Sequence, residues 1–253
     1  MTQQKLTAAF RAMHVESNPV ILFNAWDAGS AQAVASQGAL AIALGSHGVA
    51  NSHGFDDGEK IPLELVLANA RRVVSAVDVP VTLDFETGYG KTPDDVKHSV
   101  AQVIKTGVVG VNIEDQNVDG GGLYSIEEQT KRLRAVRAAA EEAGVELFIN
   151  ARTDLFKNVD SARHDDDLLD EALERADAFA AAGADGFFVP LLKDVHLIQR
   201  LCEESPLPVN IIWLDGMVPT QEIAKAGASR ISYGPGPYLK MIEWLKSEAR
   251  TAL

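Results

Sequence analysis

Residues 79–115, VPVTLDFETGYGKTPDDVKHSVAQVIKTGVVGVNIED, contain the repeating unit that decides the fold. The unit opens with a short apolar run, VPVTLDFE, and closes on a second one, VVGVNIED. Apolar runs of this length, rich in β-branched residues, are typical of strands buried on both faces. The amphipathic stretch between them ends at Gly107, a residue suited to terminating a helix. The unit therefore predicts a strand, a helix and a second strand.

The same alternation continues in both directions along the chain. Six further runs have the composition of buried strands: PVILFNA near residue 20, LAIALG near 41, ELFINART near 149, DGFFVP near 187, PVNIIWL near 210 and SRISYG near 231. Between them lie helical patterns, several of which end in Ala-Gly, and Ser125 with Glu128 has the spacing of a capping box. Eight strands that alternate with seven or eight helices predict an α/β fold, a (β/α)8 TIM-type barrel, as one domain over residues 1–253. An open doubly wound sheet is the alternative, but no strand leads into the G-x-G-x-x-G turn of a dinucleotide fold.

The composition narrows the class of protein and its partners. The chain has 253 residues and a net charge of -13, which argues against binding to nucleic acid or to an anionic membrane surface. Its one cysteine, Cys202, allows neither an intrachain disulfide nor a cysteine-based zinc site. No stretch has the apolar length of a membrane-spanning helix, and the first residues lack a signal-peptide pattern. We expect a cytoplasmic protein.

Polar residues follow several of the predicted strands, at the point where each apolar run ends. They include Asn24, Asp27, Ser46, His47, Asp84, Glu86, Glu114, Asp115, Asn150, Arg152 and Asp154. In a (β/α)8 barrel the carboxyl ends of all strands meet at one face, where the active site is built. We therefore expect these side chains to lie around one site.

Asp84 and Glu86 carry the clearest chemical signal. Because side chains alternate along a strand, the two carboxylates are expected on the same side of it. Two like charges in a dry barrel mouth need a cationic partner, and oxygen ligands suit Mg²⁺ or Mn²⁺. Glu114 would add a third oxygen, directly or through water. The alternative is that one carboxylate pairs with Arg152 while the others are solvated loop charges.

Three ordered blocks of sequence resemble one family of enzymes. LDFETGYG, GVVGVNIEDQ and LFINARTD, preceded by NAWDAGSAQAVASQGALAIALGSHGVANSHGFDDGE, are similar in order and spacing to the isocitrate lyase/phosphoenolpyruvate mutase superfamily. The resemblance covers residues 20–190 and continues more weakly to the end of the chain. It implies an α/β barrel whose last helix is exchanged between the subunits of a homo-oligomer, a dimer or a tetramer. It also implies a Mg²⁺-dependent enzyme that acts on a small carboxylic acid.

The resemblance also implies roles for individual residues. Asp84 would bind the metal directly, whereas Asp57, Glu86 and Glu114 would hold its water ligands. The substrate carboxylate would be bound at the segment from Ser46 through His47 to Gly48. Arg152 would neutralise a substrate oxygen, and Asn117 would contact the substrate from the loop after the fourth strand. Tyr89, Tyr124 and His47 are the candidate proton donors.

The loop after the fourth strand departs from the better-known members of the family. The lyases carry a catalytic cysteine in this loop, and the phosphonate-active members carry a lysine. The corresponding stretch here, EDQNVDGGGLYSIEE, contains no cysteine, histidine, lysine or arginine. The chemistry that the resemblance implies, with a divalent metal and a pyruvate enolate-like intermediate, remains compatible with this loop. We therefore predict a lyase-type reaction that cleaves a C–C bond, as in oxaloacetate decarboxylases or methylisocitrate lyases. A phosphonate-active mutase or hydrolase and a non-catalytic keto-acid binder are the alternatives.

Overall fold

The protein, described here by a computed structural model over residues 2–118 and 120–253, is built around eight parallel strands. They are β1 (Val20–Leu22), β2 (Ile42–Leu44), β3 (Val81–Asp84), β4 (Gly110–Glu114), β5 (Phe148–Arg152), β6 (Gly186–Phe188), β7 (Val209–Ile212) and β8 (Arg230–Ser232). The eight apolar runs of the sequence each contain one of these strands, which confirms that part of the prediction.

Helices alternate with the strands. They are α1 (Gln3–Ala12), α2 (Ala28–Ser36), α3 (Ser46–Ser52), α4 (Leu63–Ala76), α5 (Pro93–Ile104), α6 (Ile126–Glu142), α7 (Asp166–Ala181), α8 (Val195–Glu204), α9 (Thr220–Lys225) and α10 (Gly236–Ala252). Two short 3₁₀ helices, Leu155–Lys157 and Ser161–Arg163, lie between β5 and α7.

The strands form a nearly closed barrel in the order β1-β8-β7-β6-β5-β4-β3-β2. Across the gap between β1 and β2, Ala25 forms a parallel bridge with Leu44. The amide of Ala25 donates to the carbonyl of Ala43, and the amide of Gly45 donates to the carbonyl of Ala25. The predicted (β/α)8 barrel is confirmed, and the open doubly wound sheet is ruled out.

Local sequence explains how the helices begin and end. Thr92 caps α5 and Ser125 caps α6 by accepting a hydrogen bond from the amide three residues later. Gly144, Gly183 and Gly227, the glycines of the Ala-Gly endings, have positive φ angles of 66°, 94° and 103°. Glycine adopts this conformation without steric cost, so each helix stops just before the next strand.

The barrel interior is polar, although the interiors of such barrels are usually filled by branched apolar side chains. The amide of Asn150 on β5 donates to the side-chain oxygens of Asn112 on β4 and Asn210 on β7. Gly186 on β6 leaves the space for this contact, since an added Cβ would lie 2.8 Å from Oδ1 of Asn150. Below this network, α1 closes the amino-terminal end of the barrel with the fully buried Phe10, which packs edge-on against Phe148.

Among the described residues, large apolar side chains on α10 and at β1 remain exposed on the outside of the barrel. On α10, Trp244 and Leu245 are 61% and 51% exposed. Ile21 on β1 and Phe23 directly after it are each 43% exposed. A strand of a barrel normally has a helix packed over its outer face. In the described part of the chain, no helix has the length and apolarity needed to cross a membrane.

Candidate active site

A cavity of about 240 Å³ opens at the carboxyl ends of the strands. Its polar side is formed by the ends of β1 to β5 and the segments that follow them: Asn24, Ser46, His47, Gly48, Asp57, Asp84, Asn112, Arg152 and Lys157. Its opposite wall, from the ends of β6 to β8, is apolar: Phe188, Pro190, Leu191, Ile212, Leu214 and Pro235. A smaller adjoining space shares Ser46, Asp57, Arg152 and Lys157 and is also lined by Glu86 and Glu114.

Arg152 is the electrostatic centre of the polar side. Its guanidinium contacts Glu114 at 2.8 Å and Asp84 at 3.6 Å, and it binds both carboxylate oxygens of Asp154, at 2.6 and 3.0 Å. Burial alone would lower the pKa of Arg152, but Glu114, Asp154 and Asp84 raise it above its usual range. Arg152 therefore remains a cation, and it is shared by three carboxylates.

Asp84 ends β3 and lines the cavity. Its Oδ2 accepts a hydrogen bond of 3.2 Å from the hydroxyl of Ser46. Its Oδ1 is buried and has no hydrogen-bond partner among the described residues. Burial raises the pKa of Asp84, and Arg152 opposes that rise. Oδ1 of Asp84 is therefore available to a cation or a hydrogen-bond donor.

Glu86 is held in place by the segment from Asp57 to Lys60. The amide of Glu59 donates to Oε2 of Glu86 at 2.6 Å, and the hydroxyl of Tyr89 donates to Oε1 at 3.1 Å. In return, Oε1 of Glu59 accepts hydrogen bonds from the amides of Thr87 and Tyr89 and from the hydroxyl of Thr87. Burial raises the pKa of Glu86 to about 7. These reciprocal bonds fix the loop after β3 against the loop after α3.

Three residues of this arrangement have left-handed backbone conformations. The φ angles are 58° at Glu59, 51° at Glu86 and 52° at Tyr89. Non-glycine residues adopt such angles at a cost, and they occur most often at functional sites. Since β3 ends at Asp84, the side-chain alternation expected from the sequence does not extend to Glu86, which reaches the adjoining space from a turn instead.

The segment from Ser46 to Gly48 forms the first turn of α3. The first amides of a helix have no acceptor within the helix, so this turn presents donors to the cavity that it lines. His47 lies 4.0 Å from Asp57 through Nδ1, and its buried Nε2 has no partner in the described structure. Gly48 is needed for packing, because a Cβ there would lie 3.0 Å from the Cβ of Trp26.

The residues around Asp84 fit a divalent cation that has few direct protein ligands. Within residues 2–118 and 120–253, no three His, Cys, Asp or Glu side chains converge closely enough to hold a metal ion by themselves. However, burial raises the pKa of Glu114 to about 8, as it raises those of Asp84 and Glu86. The unpartnered Oδ1 of Asp84 lies in this acidic group. A cation at this oxygen, with the other carboxylates bound to its water molecules, would offset the excess negative charge.

Three predicted site residues, Tyr89, Asn117 and Tyr124, lie outside the cavity and its adjoining space. The hydroxyl of Tyr89 is occupied by Glu86, and its ring stacks on Phe85. The side-chain oxygen of Asn117 accepts from the amide of Gly120 and so closes a turn of its own loop. Asp119, in the same loop, lies outside the described residues. Tyr124, another candidate donor, lies under the guanidinium of Arg132 at 4.5 Å.

Lys157, which lines both spaces, is a site residue that was not predicted from the sequence. Its ammonium group donates to Oδ2 of Asp154 at 2.8 Å. The signal that could have found it is its position three residues after Asp154, in the segment that follows β5. The site therefore contains a lysine, although the loop after β4 does not.

Comparison with known proteins gives the family. The family model of phosphoenolpyruvate phosphomutase matches residues 10–253. The chain belongs to the isocitrate lyase/phosphoenolpyruvate mutase superfamily. It is an enzyme of this superfamily. Its relatives include lyases and mutases, which supports a lyase or mutase role for this chain.

Three relatives illustrate the range within the superfamily. The crystal structure of a candidate phosphonomutase from Burkholderia cenocepacia is 44% identical, covers 99% of this chain and 100% of that one, and superposes with a TM-score of 0.97. An uncharacterized protein of Mycobacterium tuberculosis is 32% identical over 91% of this chain and 83% of its own length. The 2-methylisocitrate lyase of Escherichia coli is 30% identical over 79% of this chain and 67% of its own length.

Proposed function

We propose that this superfamily member is a Mg²⁺- or Mn²⁺-dependent lyase that cleaves a C–C bond of a small α-keto or 2-hydroxy carboxylic acid. The observation that carries the proposal is the buried, unpartnered Oδ1 of Asp84 beside Arg152, at the carboxyl ends of the strands. The oxaloacetate-decarboxylase and methylisocitrate-lyase types of reaction both belong to this class.

The side chains have distinct roles in this proposal. Asp84 would hold the cation directly, and Asp57, Glu86 and Glu114 would hold its water ligands. The cation would supply positive charge for the oxygen that becomes negative as the bond breaks. The first turn of α3, with Ser46, His47 and Gly48, would bind the substrate carboxylate. Arg152 would lie beside the substrate oxygen and is kept ionised by its three carboxylates.

The first experiment is an assay of the purified protein with Mg²⁺ on separate samples of oxaloacetate, methylisocitrate and isocitrate. Pyruvate, glyoxylate and succinate are followed as products. We expect one substrate to give product, and we expect EDTA to abolish the reaction. In Asp84→Asn, turnover should fall on the order of 10²–10³-fold or more, because the metal loses its direct ligand.

Asp177→Asn is the matched control, since Asp177 is exposed on α7. It should retain full activity, and both variants should have the circular dichroism spectrum of the unaltered protein. Full turnover by Asp84→Asn, or turnover that persists in EDTA, would refute the metal assignment.

Lys157 favours a second candidate function, the cleavage or rearrangement of a P–C bond. A phosphoryl group carries more negative charge than a carboxylate and is bound better where a cation is near. Phosphonopyruvate is therefore added to the assay, with inorganic phosphate and phosphoenolpyruvate measured by ³¹P NMR. Product from phosphonopyruvate that is lost in Lys157→Met would favour the mutase or hydrolase.

A non-catalytic keto-acid binder on the same scaffold predicts a different outcome. Ligands would raise the melting temperature in a Mg²⁺-dependent manner, without product from any substrate of the panel. The melting temperature is therefore recorded with each substrate beside the activity.

A further inference from the structure

Arg230 on β8 is a buried cation inside the barrel. The residue is 2% exposed, and its Nη2 donates to Oδ1 of Asn112 at 3.2 Å. Asn112 lies on β4, which is opposite β8 in the order of the strands. The side chain therefore extends across the interior, beneath the open end of the cavity.

The charge of Arg230 is not neutralised by any described residue in contact with it. Its Nε and Nη1 have no hydrogen-bond partner in residues 2–118 and 120–253, and the ring of Phe10 lies 6.0 Å from the guanidinium carbon. Burial lowers the pKa of Arg230 to about 9, and the attraction of Asp84 offsets that effect only in part. Burying a charge without a partner costs free energy, so proteins rarely keep such a charge unless a ligand neutralises it.

The residues that carry these unpartnered groups line the same cavity. Arg230 lines the cavity together with Thr82, Asn112 and Ser232, which form its floor. The buried hydroxyl of Thr82 also has no partner in the described structure. The floor thus offers unused N–H and O–H donors with one positive charge, which is the chemistry that recognises a carboxylate.

The other cations of the site are already paired. Arg152 is bound by Asp84, Glu114 and Asp154, and Lys157 is bound by Asp154. Among the described residues that line the cavity, Arg230 is therefore the buried cation that remains available to an anion. A simple monocarboxylic acid whose carboxylate was held near Asp84 would leave Arg230 without an anionic partner.

We propose that Arg230, with Thr82, binds a second carboxylate of the substrate at the floor of the cavity. This inference rests on the proposed function for the end of the substrate near Asp84. It narrows the substrate class to dicarboxylic keto or hydroxy acids whose carbon chain lies along the apolar wall formed by Phe188, Ile212 and Leu214.

The test compares pairs of unreactive ligands that differ by one carboxylate. Binding of 2-oxoglutarate and of 2-oxopentanoate is measured by calorimetry with Mg²⁺, and oxalate reports on the metal end alone. We expect 2-oxoglutarate to bind about tenfold or more tightly than 2-oxopentanoate, because one charge-assisted hydrogen-bonded pair is gained. In Arg230→Met that preference should disappear, while the affinity for oxalate stays within about twofold of the unaltered protein.

Stability separates this role from a structural one. Removal of an unpaired buried charge should leave the melting temperature of Arg230→Met unchanged or raised. If that variant does not fold, Arg230→Lys decides, because it keeps a shorter cation and should retain part of the preference.

Three results would overturn the inference: equal binding of the two ligands by the unaltered protein, a preference that survives in folded Arg230→Met, or a full preference in Arg230→Lys when the methionine variant does not fold. Loss of oxalate binding in Arg230→Met would also overturn it, since Arg230 would then act at the metal end. Failure of the proposed function has a different signature, namely oxalate binding that is absent or independent of Mg²⁺ in the unaltered protein.

Discussion

Asp84 and Glu86 are separated by one residue, yet their carboxylates have different hydrogen-bond partners in the structure. Asp84 belongs to β3 and has a free oxygen, whereas both oxygens of Glu86 are occupied by Glu59 and Tyr89. The sequence predicted the acidic character of the site, because two carboxylates after an apolar run are unusual. It could not predict Glu59 as the partner, since that contact joins residues that are 27 apart in the chain.

His14 gives a residue-scale prediction about acid stability. Its ring stacks on Phe148 with 4.1 Å between ring centroids, and its Nδ1–H donates to the carbonyl of Phe10. Burial lowers the pKa of His14 to about 3, and Arg230 adds to the effect. The folded protein thus keeps His14 neutral, while the unfolded chain takes up a proton below pH 6.5. The contribution of neutral His14 to stability is complete above pH 6.5 and is lost as the pH falls toward 3.

The expected slope is at most about 1.4 kcal/mol per pH unit for one proton. Between pH 7.5 and pH 5, the free energy of unfolding of the unaltered protein should fall by about 2 kcal/mol more than that of His14→Phe. Urea unfolding at the two pH values measures this difference. His98→Gln, at an exposed position on α5, controls for the loss of a histidine. Parallel pH dependences in His14→Phe and the unaltered protein would contradict the assignment.

At the scale of elements, composition and local sequence signals were sufficient to predict the strands and the ends of several helices. The eight strands were predicted from their apolar runs, and the ends of several helices from their glycines and capping residues, because these depend on neighbouring residues in sequence. Gly88 and Gly90, in the loop after β3, both pack against the first turn of α5.

Gly90 therefore gives a prediction about this contact between loop and helix. A Cβ at this position would lie 2.7 Å from the backbone carbon of Asp95 and would also clash with the amide of Val96. Gly90→Ala should lower the free energy of unfolding by about 1–3 kcal/mol through overpacking. It should also weaken Mg²⁺ binding, because the same loop carries Glu86.

Gly29→Ala is the control for this change. Gly29 lies in α2, and the nearest atom to an added Cβ is 3.6 Å away, so the substitution should be neutral or slightly stabilising. Urea unfolding and metal titration of both variants measure the two effects. Equal stability of Gly90→Ala and Gly29→Ala would show that the loop can move away from α5.

At the scale of the whole molecule, the exposed apolar surfaces on α10 and β1 predict a homo-oligomer in which α10 of one subunit packs on another. Trp244→Glu combined with Leu245→Glu should produce monomers, because charged groups are not tolerated in an apolar interface. Light scattering after size-exclusion chromatography gives the mass. Ser247→Glu, exposed on the same helix, should leave the oligomer intact, and a monomeric unaltered protein would refute the prediction.

The sequence predicted most of the polar side of the cavity but not its floor. The sequence predicted Ser46, Asp84, Glu114 and Arg152 because they lie where the apolar runs end, and the structure brings them together. Arg230 lies at the first residue of β8, where its charge looked like that of any surface arginine. Only the closed barrel places it opposite Asn112, so its burial depends on contacts between residues that are 118 apart.

The single bridge between Ala25 and Leu44 has a consequence for how the molecule opens. In the described part of the chain, every other neighbouring pair of strands is joined by a ladder of at least two paired residues. Thermal opening of the barrel should therefore begin at the seam between β1 and β2. The amides of Ala25 and Gly45 would then exchange with deuterium before those of β4 and β5. Asn24 and Ser46 lie on either side of this seam, so each opening event would also separate two walls of the cavity and admit bulk water to its interior.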